Sequence, residues 1–353
     1  MFRIFLVLIS FWVMFFNSNA RPLKSSVDSG NVEVKGLVLK YVLIDTPYEM
    51  YQVIFSNSPY FTDSVYMKYG GSDSYEHIKW LKKCYESFLP EEKSKLKYIF
   101  DKAFEYWMMV ETTKLDDDAS LSEIIDCLTS PRIHYQNEIV KDSIREFLPY
   151  FYNNYLKDYL ASNKKVFDDR ALELMDQVRR NNSDILGFME DVSGVSFRKK
   201  FNVCFYFTLR LIGADGFTKE NTNISTLQRH IKDYSMLFGT PFHEFSHQLF
   251  QTFSRDSLFI KAAGTLKTDT KLFNYWDKQL QRKQYDWPGW CEENLVQGFA
   301  KYLYLKYYKK ELDVKTYVYD DDFYNYLKKN NFDGKKMSLA DVSIKFLESI
   351  GGK

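Results

Sequence analysis

Residues 241–250 read Pro241-Phe242-His243-Glu244-Phe245-Ser246-His247-Gln248-Leu249-Phe250, an H-E-x-x-H unit set among apolar residues at helical spacing. On a helix, residues i and i+4 lie one above the other on the same face. His243 and His247 therefore aim two imidazole nitrogens at one ion. Glu244 lies one step round, placed to reach a water on that ion rather than the ion itself. These are two ligands and the general base of a zinc hydrolase within one short stretch. Phe242, Phe245, Leu249 and Phe253 fall on the other side and give the helix its own core face. The alternative is coincidence, which with five histidines in the chain arises on the order of once in a few hundred such sequences. Thr240 is the expected N-cap with Pro241 at the first helical position; alternatively Pro241 interrupts a longer helix running from Ser225.

A catalytic zinc takes three protein ligands and leaves one position for water. No histidine follows His247, so the third ligand is expected to be a carboxylate, with cysteine or tyrosine well behind. The source is Trp290 to Leu303, read as a helix entered through Asp286-Trp287-Pro288-Gly289. Glu293 shares a face with Gln297, Ala300 and Tyr304. Glu292 shares one with Leu295, Val296, Phe299 and Leu303, which has the character of a packing face. Glu293 is preferred and Glu292 is the alternative. Taken alone, both glutamates fit a helix N-terminus, where the dipole favours negative charge. Cys291 beside them is a weaker candidate.

Upstream, Phe201, Val203, Phe205, Phe207, Leu209 and Leu211 alternate with Asn202, Cys204, Tyr206, Thr208 and Arg210. This is a strand with one buried and one more polar face, ending in the turn Gly213-Ala214-Asp215-Gly216. In a peptidase its edge would pair with an extended substrate; an ordinary antiparallel strand is the plainer reading. Val32 to Ile44 is the first strand candidate. Helices follow at Pro90 to Val110, with a stripe of Leu96, Ile99, Phe100, Ala103, Phe104 and Trp107, and at roughly 121–128, 137–160 and 168–180. Pro149 is expected to kink or divide the middle one. Lys114 to Ser120 reads as a solvated connection.

The chain begins with Met1-Phe2-Arg3, an uncharged apolar run from Ile4 to Phe16, and Asn17-Ser18-Asn19-Ala20. This is the pattern of a signal peptide over residues 1–20, with small residues flanking a cut after Ala20. The run is short for a membrane span, and no membrane span is expected after cleavage. The protein is thus expected to be secreted or periplasmic, with one domain over 21–353. Lysine plus arginine (48) nearly balances aspartate plus glutamate (47), and no basic block stands out, so nucleic acid is excluded as a partner. Cys84, Cys127, Cys204 and Cys291 form no C-x-x-C pair; export permits disulfides among them, and four buried free thiols are at least as reasonable.

The H-E-F-S-H unit, followed at a distance by Glu293-Asn294-Leu295-Val296-Gln297-Gly298, resembles gluzincin-type zinc metallopeptidases. The likeness is closest to exported bacterial zincin-like proteins, sharp over about 201–304 and faint elsewhere. The resemblance implies an α+β, zincin-like fold, mostly helical with a small antiparallel sheet beside the H-E-x-x-H helix. It also implies one Zn2+ on His243, His247 and Glu293, with Glu244 as base and a peptide or protein as substrate. Many gluzincins carry an acidic residue four positions after the glutamate ligand, supporting a histidine ligand; here Gln297 stands there, able to accept an imidazole N–H without adding charge. Such sites also offer a second electrophile to the developing oxyanion, for which Tyr285 is the candidate and His230 the runner-up. The alternative function is a non-catalytic exported binding protein that keeps the zincin frame.

Overall fold

The computed structural model describes residues 31–56, 62–133, 137–211, 215–278, 285–312 and 316–351. The segment 1–20, expected to be a signal peptide, and residues 213 and 214 of the expected turn lie outside them. Val32 to Ile44 divides into a strand, β1 (Val32–Leu37), and the start of a helix, α1 (Leu39–Phe55). Tyr41, Val42, Leu43 and Ile44 are all fully buried. An unbroken apolar run carries no periodicity, so it suits a buried helix as well as a strand.

The helical expectations hold with local corrections. Pro90 to Val110 is two helices, α3 (Pro90–Lys102) and α4 (Glu105–Thr112), because Ala103 and Phe104 adopt extended backbone. Between α1 and α3 lies α2 (Asp63–Ser87). Ser120 and Glu123 form a reciprocal capping box at the start of α5 (Leu121–Leu128), which satisfies two orphan N–H groups. Helix α6 (Glu138–Phe151) contains Pro149 and passes through a π-helical turn at Tyr152–Leu156 into α7 (Lys157–Arg180). Lys114 to Ser120 is not simply solvated: Asp117 accepts hydrogen bonds from Lys35 (2.6 Å) and Tyr206 (3.0 Å).

The alternating segment forms β2 (Asn202–Phe207), joined by β3 (Gly216–Lys219) and β4 (Thr222–Leu227). The fold is α+β as expected, but the sheet is mixed rather than antiparallel. Its order is β1-β2-β4-β3, with β1/β2 and β2/β4 parallel and only β3/β4 antiparallel. The reason is connectivity: the whole run of helices from α1 to α8 (Ile185–Ser193) separates β1 from β2, and such a crossover returns a strand parallel. β2 is therefore an interior strand with both edges paired, so an extended substrate has no edge to join there. Its polar face is buried too. Phe201 and Phe205 pack on Phe245 and Phe238, while Tyr206 stands against Tyr41 on the other side.

Helix α9 (Gly239–Phe250) carries the H-E-x-x-H unit and rests on β3, β4 and α12 (Trp287–Tyr308). Phe242, Phe245 and Leu249 are fully buried, as their spacing requires. The helix begins at Gly239 after an uncapped Phe238, so Pro241 is its third residue and Thr240 lies inside it. Ser225 belongs to β4, which ends the alternative of one long helix. Between α9 and α12 come α10 (Ser257–Thr265) and α11 (Thr270–Lys278); α13 (Asp320–Lys329) and α14 (Leu339–Gly351) close the chain. Among the described residues no helix is long and apolar enough to cross a membrane.

Candidate metal centre

Helix α12 is held at its start by Asp286, whose side chain caps it by accepting from Gly289 N (2.8 Å). Arg255 donates to the same carboxylate (2.9 Å), and Trp287 Nε1 donates to Ala263 O (2.7 Å). This aims the second turn of α12 at the histidine face of α9. One candidate ligand atom each from His243, His247 and Glu293 lies within 4.8 Å of the others. His243 Nε2 is 3.1 Å from Glu293 Oε1, and His247 Nε2 is 3.5 Å from Glu293 Oε2. Glu293 and His243 are each 1% exposed and Glu244 is 2%, so bulk water does not screen them.

The other ring nitrogens define the tautomers. His243 Nδ1 lies 2.7 Å from Gln297 Oε1, and His247 Nδ1 lies 3.2 Å from Glu292 Oε1. A carboxylate accepts only, so Nδ1 of His247 carries the proton and donates; His243 donates likewise to the Gln297 carbonyl. With the rings neutral, both Nε2 atoms then face Glu293 as lone pairs. Neither has a hydrogen-bond partner among the described residues, and neither does Glu244 Oε1. Two imidazole nitrogens and a carboxylate that converge in this way suit a cation between them. The residues present fit a metal ion.

Electrostatics points the same way. Burial lowers the pKa of His247, but Glu293, Glu292 and Glu244 outweigh it and raise the pKa to about 9. Without a metal, a proton on His247 supplies the positive charge. Burial pushes Glu244 up to about 7, the two histidines opposing and Glu293 assisting. Despite burial, His247 and His243 hold Glu293 below the usual carboxylate range. Geometry separates the two glutamates. Glu293 belongs to the ligand cluster, whereas Glu292 supports His247 from behind. Gln297 makes the bond available to it, and the negative charge it lacks is supplied on the other histidine by Glu292.

Of the two oxyanion candidates, Tyr285 is the one on which the charges of the site act. Burial raises its phenol well above the ordinary value, and Glu293 and Glu244 are its next largest influences. His230 is in the loop after β4, not on a helix; the charges that act on it are Arg170 and Lys232, so it is not part of this centre. Cys291 is fully buried outside the ligand cluster, its thiol pushed up to about 12 chiefly by burial. All four cysteines are buried free thiols.

Sequence reasoning missed two tyrosines. Tyr317 donates to Glu293 Oε1 at 2.6 Å. Tyr106 of α4 is buried against Phe217 of β3, its phenol raised first by burial and then by Glu244. Neither sits in a motif, and no local signal distinguishes them among the 27 tyrosines of the chain.

A second buried acidic group, Asp45, Glu105 and Asp215, surrounds Arg210, whose Nη1 donates to all three at 2.9, 2.9 and 3.1 Å. Burial and then Asp215 push Glu105 well above the carboxylate range, with the Arg210 guanidinium opposing them. Leu211 N donates to Glu49 of α1 (2.9 Å). Together these bonds fix Leu211 on one side and Asp215 on the other, next to Gly216 at the start of β3. A Cβ on Gly216 would meet Thr240 Cγ2 at 2.3 Å and Glu244 Oε1 at 3.3 Å.

Compared with protein-family models, curated proteins and solved structures, the chain matches none.

Proposed function

We propose that this chain is a zinc-dependent peptidase, exported by its N-terminal segment. The observation that carries the reading is the convergence of His243, His247 and Glu293 beside a carboxylate, Glu244, whose pKa of about 7 lies at the working pH. His243, His247 and Glu293 would hold the ion, which when bound supplies a Lewis acid that polarises a carbonyl and acidifies a water. Zinc suits two neutral imidazoles and one carboxylate. Glu244 takes a proton from the attacking water at its buried carboxylate and delivers it to the leaving amine. Such general acid–base work contributes typically about 10²–10⁴-fold, most effectively when the pKa is near the operating pH. Gln297 and Glu292 keep both imidazoles in one tautomer and orientation. Tyr285 is the candidate donor to the oxyanion, since its phenol keeps its proton and shares the electrostatic field of Glu244 and Glu293.

A second reading, a protein that holds metal without hydrolysis, is favoured by the near-complete burial of His243, Glu244 and Glu293. One experiment separates the two. Protein purified without added metal is analysed for zinc and tested on an unbiased peptide library, beside Glu244→Gln. The peptidase reading expects about one zinc in both proteins and cleavage by the wild type alone. Bound zinc with no cleavage by the wild type supports the second reading, and a folded protein that takes up no zinc overturns both.

A further inference from the structure

The hydrogen bond on Glu293 comes from a segment far along the chain that is fastened to α12 more elaborately than a passing contact needs. Asn294, fully buried and next to Glu293, accepts from Val318 N (3.0 Å) and Tyr319 N (3.1 Å) through its side-chain oxygen. Its side-chain nitrogen donates to Trp290 O (2.9 Å). The Tyr319 hydroxyl donates to Cys291 O (3.2 Å). About two helical turns further, Lys301 donates to Asp320 Oδ2 (2.9 Å), which also accepts from Thr316 N (3.0 Å). Lys301 and Asp320 are buried, so this ion pair has no competition from solvent. Gly298 completes the fastening: a Cβ there would stand 2.6 Å from Asp320 O, so only glycine lets the segment lie this close.

We infer that residues 316–320 form a clasp on α12 whose purpose is Tyr317, a positioning residue that holds the Glu293 carboxylate in its metal-binding rotamer. This rests on the metal-site reading above and goes beyond it. A short phenol-to-carboxylate bond is charge-assisted and directional, and a ligand held in place before the ion arrives loses less freedom on binding. The rival account is that Tyr317 merely satisfies a buried charge when no metal is present. The two accounts predict opposite signs. Removing a bond that only stabilises the metal-free carboxylate leaves metal affinity unchanged or improves it, whereas removing a positioning bond weakens it.

The test uses the full mature protein with zinc and with cobalt(II) as a spectroscopic probe, comparing wild type, Tyr317→Phe and Gly298→Ala. Zinc affinity is read by competition with a chelator, ligand geometry by the cobalt visible spectrum, and folding by melting of the metal-free form. Tyr317→Phe is expected to bind zinc about 10–100-fold more weakly, as loss of a supporting partner does, and to alter the cobalt spectrum. Gly298→Ala, which changes neither a ligand nor Tyr317 itself but forces the clasp that carries Tyr317 away, is expected to shift both in the same direction. Zinc affinity in Tyr317→Phe within twofold of wild type or tighter, with an unchanged cobalt spectrum, overturns the inference and leaves the metal site standing. If Tyr317→Phe does not fold, Gly298→Ala decides by the same two readouts. Wild-type protein that takes up neither metal overturns the site reading and this inference together.

Discussion

Replacing Glu292 by glutamine tests whether charge behind His247 sets the strength of the metal site. Glu292 is 6% exposed and its Oε1 accepts from His247 Nδ1 at 3.2 Å. A hydrogen bond to a charged group contributes about 1.5–3 kcal/mol net and a neutral one about 0.5–1.5 kcal/mol. Glu292→Gln keeps an acceptor and loses the charge, so the difference is about 1–1.5 kcal/mol, or roughly 5–12-fold in zinc affinity. The distance is long for a charge-assisted bond, which places the expectation toward the lower end. Glu292→Leu also strands the buried Nδ1–H, adding about 1–3 kcal/mol. A further feature is particular to this site. The same negative charge helps raise His247 to about 9 in the metal-free protein, so its loss also weakens the competing proton. The measured effect is therefore smaller at neutral pH than above about pH 9. Competition titrations against a chelator, with both variants at both pH values, check this. Zinc affinities within twofold of wild type for both variants would refute a supporting role for Glu292.

Three further outcomes are expected. The metal-free protein loses stability as pH rises, since the folded state holds its protons more tightly than the unfolded chain. The Glu244 share goes between its ordinary 4.5 and about 7, and the His247 share between 6.5 and about 9; the linkage has that sign for a folded pKa above the unfolded one. The zinc-loaded protein, with His247 no longer titrating, is expected to show a flatter melting profile over the upper window. Gly216→Ala forces Thr240 and Glu244 aside, with an overpacking cost of about 1–3 kcal/mol; turnover should fall while zinc stoichiometry stays, and adding Thr240→Ser should recover part of it. Tyr285→Phe should lower kcat with little change in KM or zinc content, because a bond to the oxyanion forms mainly in the transition state; equal kcat in the two proteins removes Tyr285 from the mechanism.

Much of the centre was legible because it is written in local geometry. The fixed rise and turn of a helix put His243 and His247 on one face, and put Glu293 in line with Gln297 on another. The helix read from Trp290, entered through Asp286-Trp287-Pro288-Gly289, is there, although the structure starts it three residues earlier, at Trp287 with Asp286 as its cap. What the sequence left open is what depends on residues far apart in the chain. Strand direction is one such case: the alternation in β2 is the same whichever way its neighbours run, and only the helical crossover from β1 made the sheet mixed. Glu292 is another. Its apolar companions suggested packing, yet where α9 rests on α12 its carboxylate meets His247. Tyr317 reaches Glu293 only because Asn294, Lys301 and Gly298 draw a later segment onto α12, and His230 is kept away because the segment after β4 is a loop. Helical spacing is set by backbone hydrogen bonds within a few residues. The approach of two elements is set by the side chains of both, so a single stretch read alone does not contain it.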